Sequence, residues 1–446
     1  MNKPLVGIVA PVTTMSGYGK HAVDIVKSLL QLDLYEMQII ATRWGDTPQN
    51  ALDKNNPEHL EILKRIVPGF NRQPDLFIQI TVPNEFQPIG KFNIGITAGI
   101  ETTACSGPWV DGLNKMDLII VPSKHAKDVF LNTGYNKVNT QTNQPEGVLK
   151  CIKAIEVLFE GYDENIYKKT SDIHLSVNIE LEKIKENFCY LCVGHWIKGD
   201  FGHDRKDIGT LIKCFLETYI GIGNAPALVM KISSANFSIL DREQMLKNIN
   251  SIRNQVEQAN PNKKLPNIYL LHGSLDDEEM NSLYNHPKIK AMVTFTKGEG
   301  YGRPLAEFSV TGKPILASGW SGQIDFLNPN HTIYLGGKIE KIHQSAVWEN
   351  VLIPESGWFY VDQEGAKIFL KEVWKNYDKH LERSRGQATY IKNFTLNKMT
   401  EKLNQIINQY VPKFAVPIEI ILPPLPKLES NIDDGGIETV EAEEVI

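Results

Sequence analysis

The sequence predicts an α/β protein built from two doubly wound domains that face one another across a central cleft. Three observations carry that prediction. Short, nearly all-apolar runs alternate with helical stretches, the pattern of a parallel sheet covered on both faces. The alternation starts afresh after the charged stretch near IELEKIKEN. At 446 residues the chain is long enough to build two cores.

The first half opens with LVGIVAP as a strand, then TTMSGYGKHA as a glycine turn into a helix. In that helix Ala22, Val23, Ile25, Val26, Leu29 and Leu30 recur at helical spacing. MQIIATRW, DLFIQIT, FNIGITAGI and DLIIVPS read as the following strands. The second half supplies FCYLCVGHW, PALVMKIS, NIYLLHG, KAMVTFT and PILASGW. The pattern divides the chain into an N-terminal Rossmann-like domain over 1–180 and a second over 181–384. A helical segment over 385–411 is free to return to the first domain, and a Pro-rich, then acidic tail over 412–446 reads as mobile.

The net charge of −6 is unevenly spread: beyond Lys427 the tail holds seven acidic residues and no basic one, and removing those seven from −6 leaves +1. A near-neutral body gives no support for a large nucleic-acid footprint. Five cysteines, an odd and sparse set, suit a reducing compartment. The Cys-x-x-Cys of FCYLCVG sits in a strand, where positions three apart face opposite sides, so a metal site there is not expected. MNKPLVGIVAPV is a strand pattern rather than a signal peptide, and no apolar run of about 20 residues spans a membrane. The expectation is a soluble, cytoplasmic protein.

The stretch KGEGYGRPLAEF, 297–308, raises the functional question. It follows an apolar strand and enters a helix, with Pro304 suited to the first turn and Gly312 to a stop. Such a loop lies at the carboxyl end of a parallel strand, where open sheets bind ligands. Gly300 and Gly302 allow the backbone close to a ligand. Glu299 and Glu307 bracket the turn, and carboxylates accept hydrogen bonds from the paired hydroxyls of sugars. The bland alternative is a solvated Glu299 and a Glu307 that complements the helix dipole.

Gly17, Gly19 and Ala22 fit G-x-G-x-x-A, but the second strand ends in Ala-Thr-Arg-Trp without the acid that would hold a ribose. The turn either places amides and Lys20 against a phosphate or needs glycine for its geometry alone. No Asp-x-Asp occurs, so bound phosphates must be met by amides and basic side chains. His195, Lys198, Arg205 and Lys206, just after the first strand of the second half, are the candidates.

Taken together, LHGSLDDEEMNSLY and KGEGYGRPLAEFSVTGKPILASGWSGQIDFL resemble glycosyltransferase family 4, the retaining Glu-x7-Glu enzymes of GT-B fold. GIETTACSGPWVDGLNKMDLIIVPSKHAKDVFLNTGY and LFEGYDENIY extend the resemblance to the first half. The resemblance implies that Glu299 and the Gly300, Tyr301, Gly302 and Arg303 amides hold the donor sugar, and that Glu307 accepts from the ribose. It implies Lys206 and Arg205 on the donor diphosphate, with Gly17 and Gly19 approaching from the other domain. The donor would be a UDP- or GDP-linked hexose or pentose, with no cofactor or metal, and the acceptor hydroxyl is left open, a hydroxylated DNA base included. Two departures stand out. His195 replaces an expected phosphate-binding arginine, and the first half lacks a histidine near the reacting carbon, leaving Glu101 as the nearest ionisable group: an acceptor-binding or positioning carboxylate by preference, a base or a structural residue otherwise. Trp109 is either a sugar platform or a buried anchor. The rival functions are a non-catalytic nucleotide- or sugar-binding protein and a nicotinamide-dependent dehydrogenase.

Overall fold

The computed structural model describes residues 3–139, 141–234 and 237–414. The acidic part of the expected tail therefore lies outside the described residues. In the first domain the chain runs through β1 (Leu5–Ala10), α1 (Gly17–Leu32), β2 (Glu36–Ala41), α2 (Pro57–Leu63), β3 (Leu76–Ile80) and β4 (Phe92–Ile96). It continues with α3 (Gly107–Lys115), β5 (Leu118–Val121), α4 (Lys124–Asn132), the hairpin β6 (Gly134–Val138) and β7 (Pro145–Lys150), and β8 (Ala154–Val157). The parallel sheet has the order β2-β1-β3-β4-β5-β8.

The second domain comprises α5 (Leu175–Glu182), β9 (Cys189–His195), α6 (Ile208–Tyr219), β10 (Ala227–Ser233), α7 (Ile239–Ala259), β11 (Ile268–Leu270) and α8 (Asp277–Asn285). There follow β12 (Ile289–Thr294), α9 (Arg303–Ser309), β13 (Ile315–Ser318), β14 (Ile333–Leu335), the hairpin β15 (Gly337–Lys341) and β16 (Gly357–Val361), then α10 (Gln363–Lys375), α11 (Tyr377–Tyr390) and α12 (Leu396–Tyr410). Its parallel sheet has the order β11-β10-β9-β12-β13-β14. The order reverses between β9 and β12, so the loops leaving those two strands open a crevice at the sheet's carboxyl end, where ligands bind in such sheets.

The central strands are buried on both faces, as their composition dictates, whereas the edge strands β2 and β11 are only partly covered. In β9, Cys189 and Leu191 pack into one core cluster and Tyr190 and Cys192 into the other. The two thiols thus lie on opposite faces of the sheet, as strand alternation requires. The expected helix α1 starts at Ser16, whose hydroxyl accepts from Gly19 N–H at 2.9 Å. Its stripe of Ala22, Ile25, Val26 and Leu29 is buried, with Leu30 half-buried.

The division between domains differs from the expected 180/181. Residues 162–182 pack on the second domain: Tyr162, Tyr167, Val177 and Leu181 join its core. The amides of Lys168, Thr170 and His174 donate to Asn281, Asn285 and Ser282 of α8. The apolar positions of 162–182 are too few and too irregular to announce which sheet they cover. In the final helical stretch, α11 stays with the second domain, since Gln387 bonds the Phe326 carbonyl at 2.8 Å. The chain crosses back at 394–396 and α12 lays Met399, Leu403, Ile406 and Ile407 on the first domain's core. The two crossings run side by side. Tyr162 N–H donates to Phe394 O at 3.2 Å, and Leu396 N–H donates to Tyr162 O at 2.8 Å.

Among the described residues no helix is long and apolar enough to cross a membrane. Because Leu403 is fully buried between α12 and α1, Leu403→Ala is expected to cost about 2–5 kcal/mol, read as a lowered urea midpoint for the first domain.

Candidate active site

The turn after β12 places Glu299 at the switch point. Gly302 takes a φ of +104° that only glycine adopts freely, and it starts α9 with Pro304 in the first turn. Glu299 is buried, with its N–H on Ser321 Oγ at 2.9 Å and its carboxylate accepting from Thr296 Oγ1 at 2.7 Å. Two cations from the loop after β9 converge on it: Lys206 pairs with Oε1, and Arg205 lies 3.2 Å from Oε2. Burial pushes this carboxyl up, but Lys206 and Arg205 outweigh it and hold the pKa at about 2. Arg205 also donates to Gly298 O at 3.0 Å and stands 3.8 Å from Glu101 of the first domain. Burial raises the Glu101 pKa, the Arg205 charge opposes that, and the Glu299 charge adds to it. Glu101, Arg205, Lys206 and Glu299 therefore form one chain of alternating charge across the cleft.

The second expected carboxylate, Glu307, faces a separate buried group. Tyr284 donates to it at 3.3 Å and Arg303 Nε lies 3.6 Å away. Burial raises the Glu307 pKa, against the charges of Lys20 and Arg303. The expectation for Arg303 was confined to its amide. Its guanidinium instead reaches the first domain, 2.7 Å from Asp24 on α1 and 3.6 Å from Glu160. Three carboxylates thus share one guanidinium away from water. Burial first, with Asp24 and Glu307 adding repulsion against Arg303, lifts Glu160 to a pKa of about 7.

The glycines divide by role. Gly17 is open, with nothing within 4 Å of the place a Cβ would take. Gly19 is not open toward a ligand: a Cβ there would lie 2.1 Å from Thr14 O, and its amide already serves Ser16. For Gly19 the tight-turn reading holds. Gly300 likewise faces protein, since a Cβ would lie 2.0 Å from Ala98 O of the first domain; Gly298 meets Glu101 O at 1.9 Å in the same way. These glycines let the two domains touch rather than leaving room for a ligand. Tyr301 is buried against Phe326, ring centroids 4.7 Å apart, with its hydroxyl unpartnered.

Lys20 crosses the cleft to pair with Asp277 at the start of α8, and its Nζ lies 3.1 Å from the Tyr167 hydroxyl. His195 is exposed, its Nδ1–H donating to Ser234 O at 2.9 Å. Desolvation of the ring first, then the Lys206 charge, shift its pKa downward. Lys198 donates to Val347 O at 2.6 Å, outside the charge chain. Trp109 is a buried anchor packed near Phe130, which removes the sugar-platform alternative. The sequence reading missed Asp24, Glu160 and Asp277. Glu160 and Asp277 stand inside LFEGYDENIY and LHGSLDDEEM, but only the fold brings them to the cleft.

Two pH dependences of opposite sign follow. Folded Glu160 keeps a proton that the unfolded chain, with an ordinary carboxyl, has lost between pH 4.5 and about 7, so its contribution to stability falls as pH rises through that window. Glu160→Gln is expected to flatten the decline in thermal midpoint from pH 5 to 7. Glu299, held at about 2, stabilises above pH 4.5 and loses that contribution as pH falls toward 2. Glu299→Gln should flatten the acid limb only.

No protein-family profile and no curated protein sequence matches this chain. Solved structures do. Sucrose-phosphate synthase from Thermosynechococcus elongatus aligns with a TM-score of 0.58 at 11% identity, over 91% of this chain and 99% of that one. The apo structure of OtsA gives 0.58 at 13%, over 92% and 100%. Anabaena HepE in complex with UDP and glucose gives 0.54 at 11%, over 91% and 100%. At such identities the likeness establishes architecture, and with the two sheets and their facing crevice it gives the conclusion that this chain has the GT-B fold.

Proposed function

We propose that this protein is a glycosyltransferase that moves a sugar from a nucleotide diphosphate sugar to a hydroxyl acceptor, with retention at the anomeric carbon. The observation that carries the reading is the convergence of Lys206 and Arg205 on Glu299 at the β9/β12 switch point. Two cations that face one buried carboxylate suit a leaving diphosphate beside a sugar, and ligand entry exchanges ion pairs that already exist. Lys206 and Arg205 stabilise the charge that develops on the leaving group, the largest contribution a protein makes to such a step. The leaving phosphate takes the acceptor's proton as the hydroxyl attacks on the same face, so no protein nucleophile is needed. Glu299 and the amides of Tyr301, Gly302 and Arg303 orient the sugar. Glu307 accepts from the ribose hydroxyls, in exchange for its contact with Tyr284. Glu101 positions the acceptor from the opposite domain. The two cations take the place of a divalent metal, and the absence of Asp-x-Asp supports that assignment. HepE, described with UDP and glucose, favours a uridine-linked donor. Among GT-B enzymes the Glu-x7-Glu spacing of Glu299 and Glu307 favours family 4.

Thermal shift and donor hydrolysis against UDP-, GDP- and ADP-linked sugars, with and without divalent metal, test the proposal. Stabilisation by one nucleotide class and slow hydrolysis without metal are expected. A response to NAD alone, or none to any nucleotide sugar, overturns it. Lys206→Ala and Glu307→Ala are each expected to lower turnover at least ~10-fold, equivalent to ~1.4 kcal/mol, with the fold intact by circular dichroism.

A further inference from the structure

Lys297 opens the Gly298–Glu299 turn, yet its side chain is fully buried. A lysine removed from water is costly unless its charge is met. Its Nζ lies 2.6 Å from Asp207 Oδ2 and 4.6 Å from the centre of the Tyr360 ring. Asp204, also fully buried, makes no ion pair with Lys297 but lies near enough to feel its charge. Burial, then Asp207, lift Asp204 to a pKa of about 6 against the Lys297 charge. The main chain is equally engaged: Lys297 N–H donates to Arg205 O at 2.7 Å, and Lys297 O accepts from Phe359 N–H of β16 at 2.9 Å.

The stretch Asp204-Arg205-Lys206-Asp207 therefore splits by charge. Asp207 pairs with Lys297, with the buried Asp204 in the same charge field, and the two cations between them in sequence pair with Glu299. Asp207 also holds a left-handed backbone, φ +50°, which a non-glycine residue keeps only when its surroundings fix it. Lys297 is part of that fixation, together with Thr210 and the main-chain bonds of Asp207 to Asp204 and Leu211, and it lies one residue from the turn that presents Glu299.

We propose that Lys297 is a positioning residue for the anion-binding pair Arg205 and Lys206. It grips Asp207 and the Arg205 carbonyl from beneath and so sets where both cations meet a bound diphosphate. What is bound rests on the glycosyltransferase reading; the grip on the loop does not. A side chain that merely neutralised a buried acid would become dispensable once that acid was removed, and this separates the two roles.

The test compares the parent with Lys297→Met/Asp207→Asn, which deletes both charges together, and with Asp207→Asn alone, which keeps the lysine and leaves Asp204 to face it. Hydrogen exchange over residues 199–207, UDP affinity, and kcat and KM for donor hydrolysis are measured on the full chain. Both variants are expected to exchange at least about 10-fold faster over 199–207, with other segments unchanged. UDP affinity and kcat are expected to fall about 10-fold or more, since small displacements of charged groups carry losses of that order. Parental exchange and parental UDP affinity in a folded variant would overturn the proposal. Faster exchange in a protein whose parent binds no nucleotide would uphold the positioning role and overturn the proposed function instead.

Discussion

A guanidinium buried between two domains, with carboxylates from both, is the interaction on which the cleft depends. Arg303 leaves the first turn of α9, and Asp24 and Glu160 meet it from the other side. A charge at that depth cannot be left alone, because neither partner retains enough water to solvate it. Once Arg303 and Asp24 are paired, α1 and α9 are fixed relative to each other. The glycine contacts at Gly298 and Gly300, and the charge chain from Glu101 to Lys206, fall into register from there. The two expected carboxylates of the turn thus serve unlike environments. Glu299 sits among cations and stays ionised at low pH, whereas Glu307 shares one cation with two other acids.

The fold was legible where burial dictates composition. All ten apolar strands read from the sequence exist, because a parallel strand covered on both faces is apolar along most of its length, and even the edge strand β2 buries Met37 and Ile39. What escaped were strands whose surroundings do not impose that pattern. The hairpin β6–β7 and strand β15 are largely exposed, β14 and β8 are only three and four residues long, and β16, although buried, pairs antiparallel with the exposed β15. Domain membership escaped for a different reason. Residues 162–182 carry no strand, and their allegiance is decided by polar bonds to α8 that leave no periodic trace.

In the site, spacing reveals the residues but not their partners. Glu299, Lys206 and Arg205 are legible from loop position, and the fold brings them together. Gly19 and Gly300 illustrate the limit: glycine signals that something lies close, and sequence does not say whether that is a ligand, the same turn or another domain. Arg303 illustrates it again, since a side chain aimed at another domain looks like any other residue of a turn. Charged residues inside one short stretch, Lys297 and Glu299, are both buried but have opposite surroundings, the lysine meeting the acid Asp207 and the glutamate the cations Lys206 and Arg205.

The paired crossings at Tyr162 and Leu396 have a mechanical meaning. Two covalent connectors, laced to each other by backbone hydrogen bonds, form one two-stranded link between the domains. Gly161 sits where a methyl group would lie 2.6 Å from Leu396 Cα, so the strips are as close as backbone permits. Twisting one domain about the line joining them would shear those bonds, whereas folding across the strips leaves them whole. A relative movement of the domains that keeps these bonds is therefore a folding across the strips, not a twist about them.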